Sequence, residues 1–272
     1  MDKKKIKNYL LYLLHAKRVT AKIILSTPNK RLAGKKIIVT GGGRGLGLSM
    51  AKKFIDEGAK VLIAGRNEKV LLESSQQLGC AFLKLDVTDI STFDAFLNEA
   101  RLKLGGIDGL VNNAGISLHE DTFFDVTPDS FDRQVNTNLK GGYFLTQHLI
   151  AKWKETEKEG NILFVSSETG DTCDFRPYGF TKVALNSMVK GLSRLFAKEC
   201  IRINAVAPGV TCSEMTGIQE DNLYFPNNSL ERAYLPEEIA EVACFLMSDI
   251  SGCLSGQIIT CNNANTVNVR WK

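Results

Sequence analysis

Seven short apolar runs, at residues 36–40, 60–64, 81–85, 108–112, 161–166, 202–206 and 257–260, alternate with stretches of helical periodicity near 46–57, 68–77, 91–104, 130–154, 178–198 and 236–247. A tight hairpin cannot join two parallel strands. They need a crossover of a dozen or so residues, and each successive pair of runs is separated by a segment long enough to make one. Each run holds at least two consecutive apolar residues, which fits strands of a parallel sheet covered on both faces. The chain is therefore predicted to be α/β: a doubly wound, mostly parallel sheet of about seven strands with helices on both faces. Right-handed crossovers put the ligand crevice of such a sheet at the carboxyl ends of its strands.

Charge is unevenly spread over the 272 residues. The net +4 splits into nine Lys/Arg against one Asp in residues 1–34 and a net −4 over the rest. Two units are expected: a basic amphipathic N-terminal extension, 1–34, and one folded α/β domain, 35–272. A mildly acidic body argues against a nucleic-acid partner, whose binding surface should be striped with basic residues. In the extension, Ile6, Tyr9, Leu10, Leu13 and Leu14 share one helical face, with Lys3, Lys4, Lys5, Lys7, Lys17 and Arg18 around it. Residues 3–18 either pack on protein or lie on an anionic membrane surface as a peripheral contact. Co-sedimentation with liposomes, with and without residues 1–30, separates the two. No stretch approaches the length of a membrane span, and the seven cysteines are scattered with no C-x-x-C pair. This fits reduced thiols in a cytoplasmic protein with no metal site.

The first crossover carries Thr40-Gly41-Gly42-Gly43-Arg44-Gly45-Leu46-Gly47 between the apolar run Ile37-Ile38-Val39 and a helical pattern. Strand, glycine loop and helix together put unpaired N–H groups at a helix N-terminus. A pyrophosphate can sit there, and glycine lets the backbone come close to it. This makes the predicted sheet Rossmann-type. After the second run stand Gly65 and Arg66, where an NAD-dependent enzyme commonly presents a carboxylate to the adenosine ribose. Arg66 and Arg44 can instead grip a 2′-phosphate by charge-assisted contacts, so the expected cofactor is NADP(H) rather than NAD(H). Asp86 and Val87 close the third run at the adenine edge. Asn112, Asn113, Ala114 and Gly115 close the fourth, with small residues for close approach and amides that tie strands together.

Further on, Ser166-Ser167 ends the fifth run, and Tyr178 and Lys182 follow one helical turn apart. A phenol is a poor acid–base group at neutral pH, with a pKa of about 10. A nearby ammonium in a water-poor site is expected to pull it down, while a serine hydroxyl holds the substrate oxygen.

With these motifs in order, the chain resembles the short-chain dehydrogenase/reductase family, in its form of about 250 residues. The resemblance covers residues 35 to about 260, through Thr40–Gly47, Asp86-Val87, Asn112–Gly115, Asn138, Ser167, Tyr178 with Lys182, and Pro208-Gly209. It implies hydride transfer between nicotinamide and a carbonyl or alcohol carbon. Tyr178 would then move the proton, Lys182 would tune it and hold the nicotinamide ribose, and Ser167 would position the oxygen. Asn138, with Asn136 as the nearby alternative, would hold a relay water by kinking its helix, and Pro208, Gly209, Thr211 and Ser213 would line the nicotinamide. A non-catalytic NADP-binding or redox-sensing protein of the same fold is the alternative, but a chain freed of catalysis has no reason to keep all four of Asn138, Ser167, Tyr178 and Lys182.

Three departures stand out. Ser167 and Tyr178 are 11 residues apart, two fewer than is usual in the family, and the link Glu199–Arg202 is short. The family's Asp-Gly-Gly after the last strand is replaced by Cys261-Asn262-Asn263-Ala264-Asn265, so the chain end should pack differently. Loop Glu168–Pro177 and a lid over Thr211–Leu235 are the expected substrate selectors, with Arg176 either a contact for an anionic group or a solvated charge. The helices at 130–154 and 178–198 are the faces that pair in the family, which predicts a homodimer or homotetramer.

Overall fold

The computed structural model describes residues 30–267. The expected amphipathic helix at 3–18 lies outside them. Strand β1 (Lys36–Thr40) leads into α1 (Gly45–Asp56), β2 (Lys60–Gly65) into α2 (Glu68–Leu78), and β3 (Ala81–Lys84) into α3 (Phe93–Leu104). The second half runs β4 (Gly109–Asn112), α4 (Pro128–Val135), α5 (Gly141–Glu155), β5 (Gly160–Val165), α6 (Pro177–Leu195), β6 (Ile201–Pro208), α7 (Pro236–Met247) and β7 (Ile258–Cys261). The seven strands pair in the order β3-β2-β1-β4-β5-β6-β7, every pair parallel. The order reverses between β1 and β4, and a crevice opens beyond the carboxyl ends of the strands at such a point.

Alternate residues of each strand enter two cores. Ile38, Leu62, Leu110, Ile162 and Ile203 face α3, α5 and α6, packing with Phe93, Leu149 and Leu185. Ile37, Val39, Val61, Ile63, Val111 and Val206 face α1 and α7, packing with Met50, Phe54, Ile239 and Met247. Burial on both faces is what consecutive apolar residues within a strand require. The chain ahead of β1 joins the second core: Leu32 is fully buried, and Arg31 donates to Glu57 at 2.7 Å and Glu241 at 2.9 Å.

The long helix read at 130–154 is broken. Thr127 caps α4, which is followed by a five-residue π turn, Asn136–Lys140, in which the Gly141 N–H bonds back to the Asn136 carbonyl. The single insertion changes the direction in which Asn138 points, and such bulges gather at functional sites. At the short link before β6, Cys200 takes a left-handed conformation (φ 55°), which turns the chain into the strand in one residue.

Candidate active site

The glycine loop is held to its neighbours by β4. Thr40 Oγ1 donates to the Val111 carbonyl at 3.2 Å and accepts from the N–H groups of Asn113 and Ala114 at 3.0 and 3.1 Å. Asn113 Nδ2 donates to the carbonyls of Thr40 and Gly41 at 2.9 and 3.1 Å. A Cβ on Gly47 would lie 2.2 Å from the Gly41 oxygen, so only glycine lets the first turn of α1 fold back over the loop. Arg44 stands at the N-cap of that helix with no side-chain cap bond and no acid in the first turn, and a Cβ on Gly45 (φ 53°) would meet nothing nearer than the Ser213 side chain at 4.0 Å. An uncapped N-terminus with a bare backbone beside it fits a pyrophosphate. The residues present thus fit the phosphate end of a dinucleotide.

The other predicted cofactor residues surround the same crevice. Arg66 is exposed at the end of β2 and makes no ion pair among the described residues. Arg44 is likewise exposed, but pairs with Glu214 of the lid. Asp86 Oδ1 accepts from the N–H and hydroxyl of Thr88 at 2.9 and 2.8 Å, which sets its side chain at the rim beside buried Val87. Gly115 faces both Asn138 and Lys182: a Cβ there would lie 3.4 Å from Asn138 Oδ1 and 4.0 Å from Lys182 Nζ. Pro208 ends β6. A Cβ on Gly209 would meet the Tyr234 ring at 2.9 Å, and Thr211 Oγ1 donates to the Gly209 carbonyl at 2.8 Å. Ser213 is the nearest side chain above Gly45, bringing the start of the lid over the glycine loop.

Strand β5 and helix α6 bring together Ser167, Tyr178 and Lys182, the candidate acid–base group. The two serines after β5 diverge: Ser166 is buried and donates to Asn186 at 2.6 Å, whereas Ser167 lies against the Tyr178 phenol. Lys182 Nζ donates to the Val165 carbonyl at 2.9 Å and stands 5.3 Å from the centre of the Tyr178 ring. Asn138, aimed by the π turn, accepts from the Ile116 N–H and donates to the Ile116 carbonyl, both at 2.8 Å.

The electrostatics differ from the simple expectation that the lysine lowers the phenol. Burial pushes the Tyr178 phenol above its ordinary value; Ser167 and Arg176 oppose the rise, and Glu168 and Asp174 add to it. Burial also lowers the Lys182 ammonium to about 8. Withdrawal from water is the largest cause of both shifts.

Arg176 does not point a free charge at the crevice: its Nε and Nη2 both donate to Asp174, each at 2.9 Å. The lid, read at 211–235, is bridged between Thr211 and Tyr234 and between Tyr224 and Arg232. It meets the loop after β4 where His119 Nε2 lies 2.9 Å from the Met215 carbonyl oxygen. Two acids that no motif marks belong to the site. Glu214 engages Arg44, and Glu168, next to Ser167, accepts from Asn262 and Asn265 at 2.9 and 3.2 Å. The altered motif after the last strand was the one sequence signal for the second.

A family model described as short chain dehydrogenase matches residues 35–223. A 3-oxoacyl-[acyl-carrier-protein] reductase of Chlamydia pneumoniae is 32% identical over 249 residues, covering 86% of this chain and 98% of the relative. A 3alpha-hydroxysteroid dehydrogenase of Mediterraneibacter gnavus is 31% identical over 245 residues, covering 86% of this chain and 97% of the relative. The crystal structure of a short-chain type dehydrogenase/reductase from Mycobacterium marinum superposes with a TM-score of 0.80 at 26% identity, covering 89% of this chain and all of that one.

Proposed function

The chain belongs to the short-chain dehydrogenase/reductase family, and from that we propose that it is an NADP(H)-dependent oxidoreductase acting on a carbonyl or secondary alcohol of the 3-oxoacyl or ketone type. The observation that carries the reading is the convergence of Ser167, Tyr178 and Lys182 at the carboxyl end of β5, facing the crevice floored by Gly115. Bound nicotinamide dinucleotide supplies or takes the hydride.

The N-terminus of α1, with Gly41, Gly43, Gly45, Leu46 and Gly47, holds the pyrophosphate, and Arg44 and Arg66 hold a 2′-phosphate. Asp86 and Val87 border the adenine. Asn113, Ala114 and Gly115 form the floor, and Pro208, Gly209, Thr211 and Ser213 enclose the nicotinamide end. Lys182 binds the adjacent ribose. Ser167 orients the substrate oxygen, and Tyr178 delivers the proton to it in reduction. A phenol raised by burial keeps its proton at neutral pH, which suits it to act as the acid. Asn138, held on both sides by Ile116, keeps the π turn open for proton relay behind Lys182. The groove between Leu139, Tyr143, Met188 and Leu192 is the face on which a second copy pairs into a dimer or tetramer.

A panel of acetoacetyl-CoA, longer 3-oxoacyl thioesters, ketoses and steroid ketones, run with wild type and Tyr178→Phe, tests the reading. Tyr178-dependent oxidation of NADPH is expected with the thioesters or ketones. Turnover that survives Tyr178→Phe would overturn the assignment of the acid, and no turnover of any of them would overturn the activity.

A further inference from the structure

Glu168 follows Ser167 directly and is only 8% exposed, yet among the described residues its side-chain hydrogen-bond partners are two carboxamides and no cation. A buried carboxylate is costly unless it is well paired, so its setting must be built by the surrounding fold. Both donors converge on one oxygen, Oε2, and both come from the segment after β7. Between them, Asn263 and Ala264 take left-handed backbone conformations (φ 51° and 65°). Two consecutive such residues, one of them alanine, are unfavourable and persist only where the surroundings over-determine them. The turn aims Asn262 and Asn265 at the same acceptor.

Asn265 also reaches the lid. Its Oδ1 accepts from the N–H and hydroxyl of Ser229 at 3.1 and 3.3 Å, next to buried Asn228, which donates to the Arg232 carbonyl at 2.7 Å. The far end of the short turn that begins at Glu168 is pinned as well, since Asp171 accepts from Thr260 of β7 at 3.0 Å. Ser167 thus stands on a turn held at both ends by the chain's last strand and the segment after it, and that segment also holds the lid.

We propose that Glu168 is a positioning residue: by binding Asn262 and Asn265 it fixes the Ser167 turn against Tyr178 and makes that alignment depend on a seated lid. The inference rests on the oxidoreductase reading of the same site. Groups that bear on the Tyr178 phenol are Ser167 and Lys182, the opposing pair Arg176 and Asp174, and Glu168 itself, whose charge disfavours the phenolate.

The full chain is assayed with acetoacetyl-CoA and NADPH, and in reverse with 3-hydroxybutyryl-CoA and NADP+, as wild type, Glu168→Gln, Glu168→Ala and Asn265→Ala. Amide exchange at Ser229 is followed in parallel. Misplacement of a catalytic group by about 1 Å costs on the order of a hundredfold, so Glu168→Ala is expected to lose about that much kcat with the KM for NADPH unchanged. Glu168→Gln keeps an acceptor oxygen and is expected to recover most of the rate, while the rise of alcohol oxidation with pH moves to lower pH because a charge facing the phenol is gone. Ser229 is expected to exchange faster in Glu168→Ala and Asn265→Ala and to stay near wild type in Glu168→Gln.

Variants that match wild type in both kcat and exchange overturn the proposal while leaving the oxidoreductase reading intact. A Glu168→Gln variant as impaired as Glu168→Ala, with an unmoved pH profile, also overturns it. Wild type inactive on both thioesters, with Ser229 exchange changing as expected, sinks the 3-oxoacyl reading and supports the latch alone.

Discussion

Lys182 stands 5.3 Å from the centre of the Tyr178 ring while its ammonium donates to the Val165 carbonyl, so one strand end holds the amine under the phenol. With burial lowering Lys182 to about 8, the amine loses its charge within an accessible pH range. Below that pH it is an ammonium, and a charge-assisted bond to a ribose hydroxyl is available; above it the bond weakens. NADPH affinity measured by fluorescence titration is expected to be flat up to about pH 8 and to decline beyond. In Lys182→Met it is expected to be weaker and free of that break.

Tyr178→Phe removes the proposed proton donor and leaves the ring in place. General acid catalysis is worth about 10²–10⁴-fold, so kcat is expected to fall by that order with coenzyme affinity unchanged, as read by steady-state kinetics beside equilibrium titration.

On the proposed reading, Arg44 and Arg66 carry the coenzyme preference. NADPH is expected to bind much more tightly than NADH, and Arg66→Asp to shrink the gap; equal affinities in the wild type would end the 2′-phosphate argument. Glu214 competes for Arg44, but with side chains 71% and 73% exposed the ion pair is weak. Exposed pairs are worth about 0–1 kcal/mol, so Glu214→Gln is expected to tighten NADPH by no more than about fivefold and to leave NADH unmoved.

What could be read in the chain and what could not divide along sequence separation. Strands β1 to β7 follow from short apolar runs, and the glycine loop from residues within eight positions of one another. The family resemblance places a kink at Asn138, but no local signal gives its form, the π turn Asn136–Lys140. It is set by Asn138 reaching Ile116, 22 positions away. Glu168 reads as an ordinary loop acid until Asn262 and Asn265 arrive from 94 and 97 positions along the chain. Glu214 meets Arg44 across 170 positions. The direction of the Tyr178 shift was likewise out of reach, because spacing along a helix gives the distance between two groups but not how far water is excluded from them.

Glu57 gives the fold an acid limit. Its side chain is fully buried at the end of α1, bonded by Arg31 at 2.7 Å and Lys53 at 3.0 Å, with Glu241 completing the cluster. Burial works to raise its carboxyl, but the bonds from the Arg31 side chain and backbone and from Lys53 prevail and hold it at about 2, against an ordinary 4.5. Between those values the unfolded chain binds a proton that the folded chain does not, so stability falls as pH drops from about 4.5 toward 2. Above 4.5 the contribution is fully present. Removing one partner of a buried charged cluster costs about 3–5 kcal/mol, and Glu57→Gln is expected to lose stability of that order at pH 7 in urea denaturation. The same variant is expected to show a flatter decline between pH 4.5 and 2 than wild type. Equal acid slopes in the two proteins would show that Glu57 is not the group that titrates.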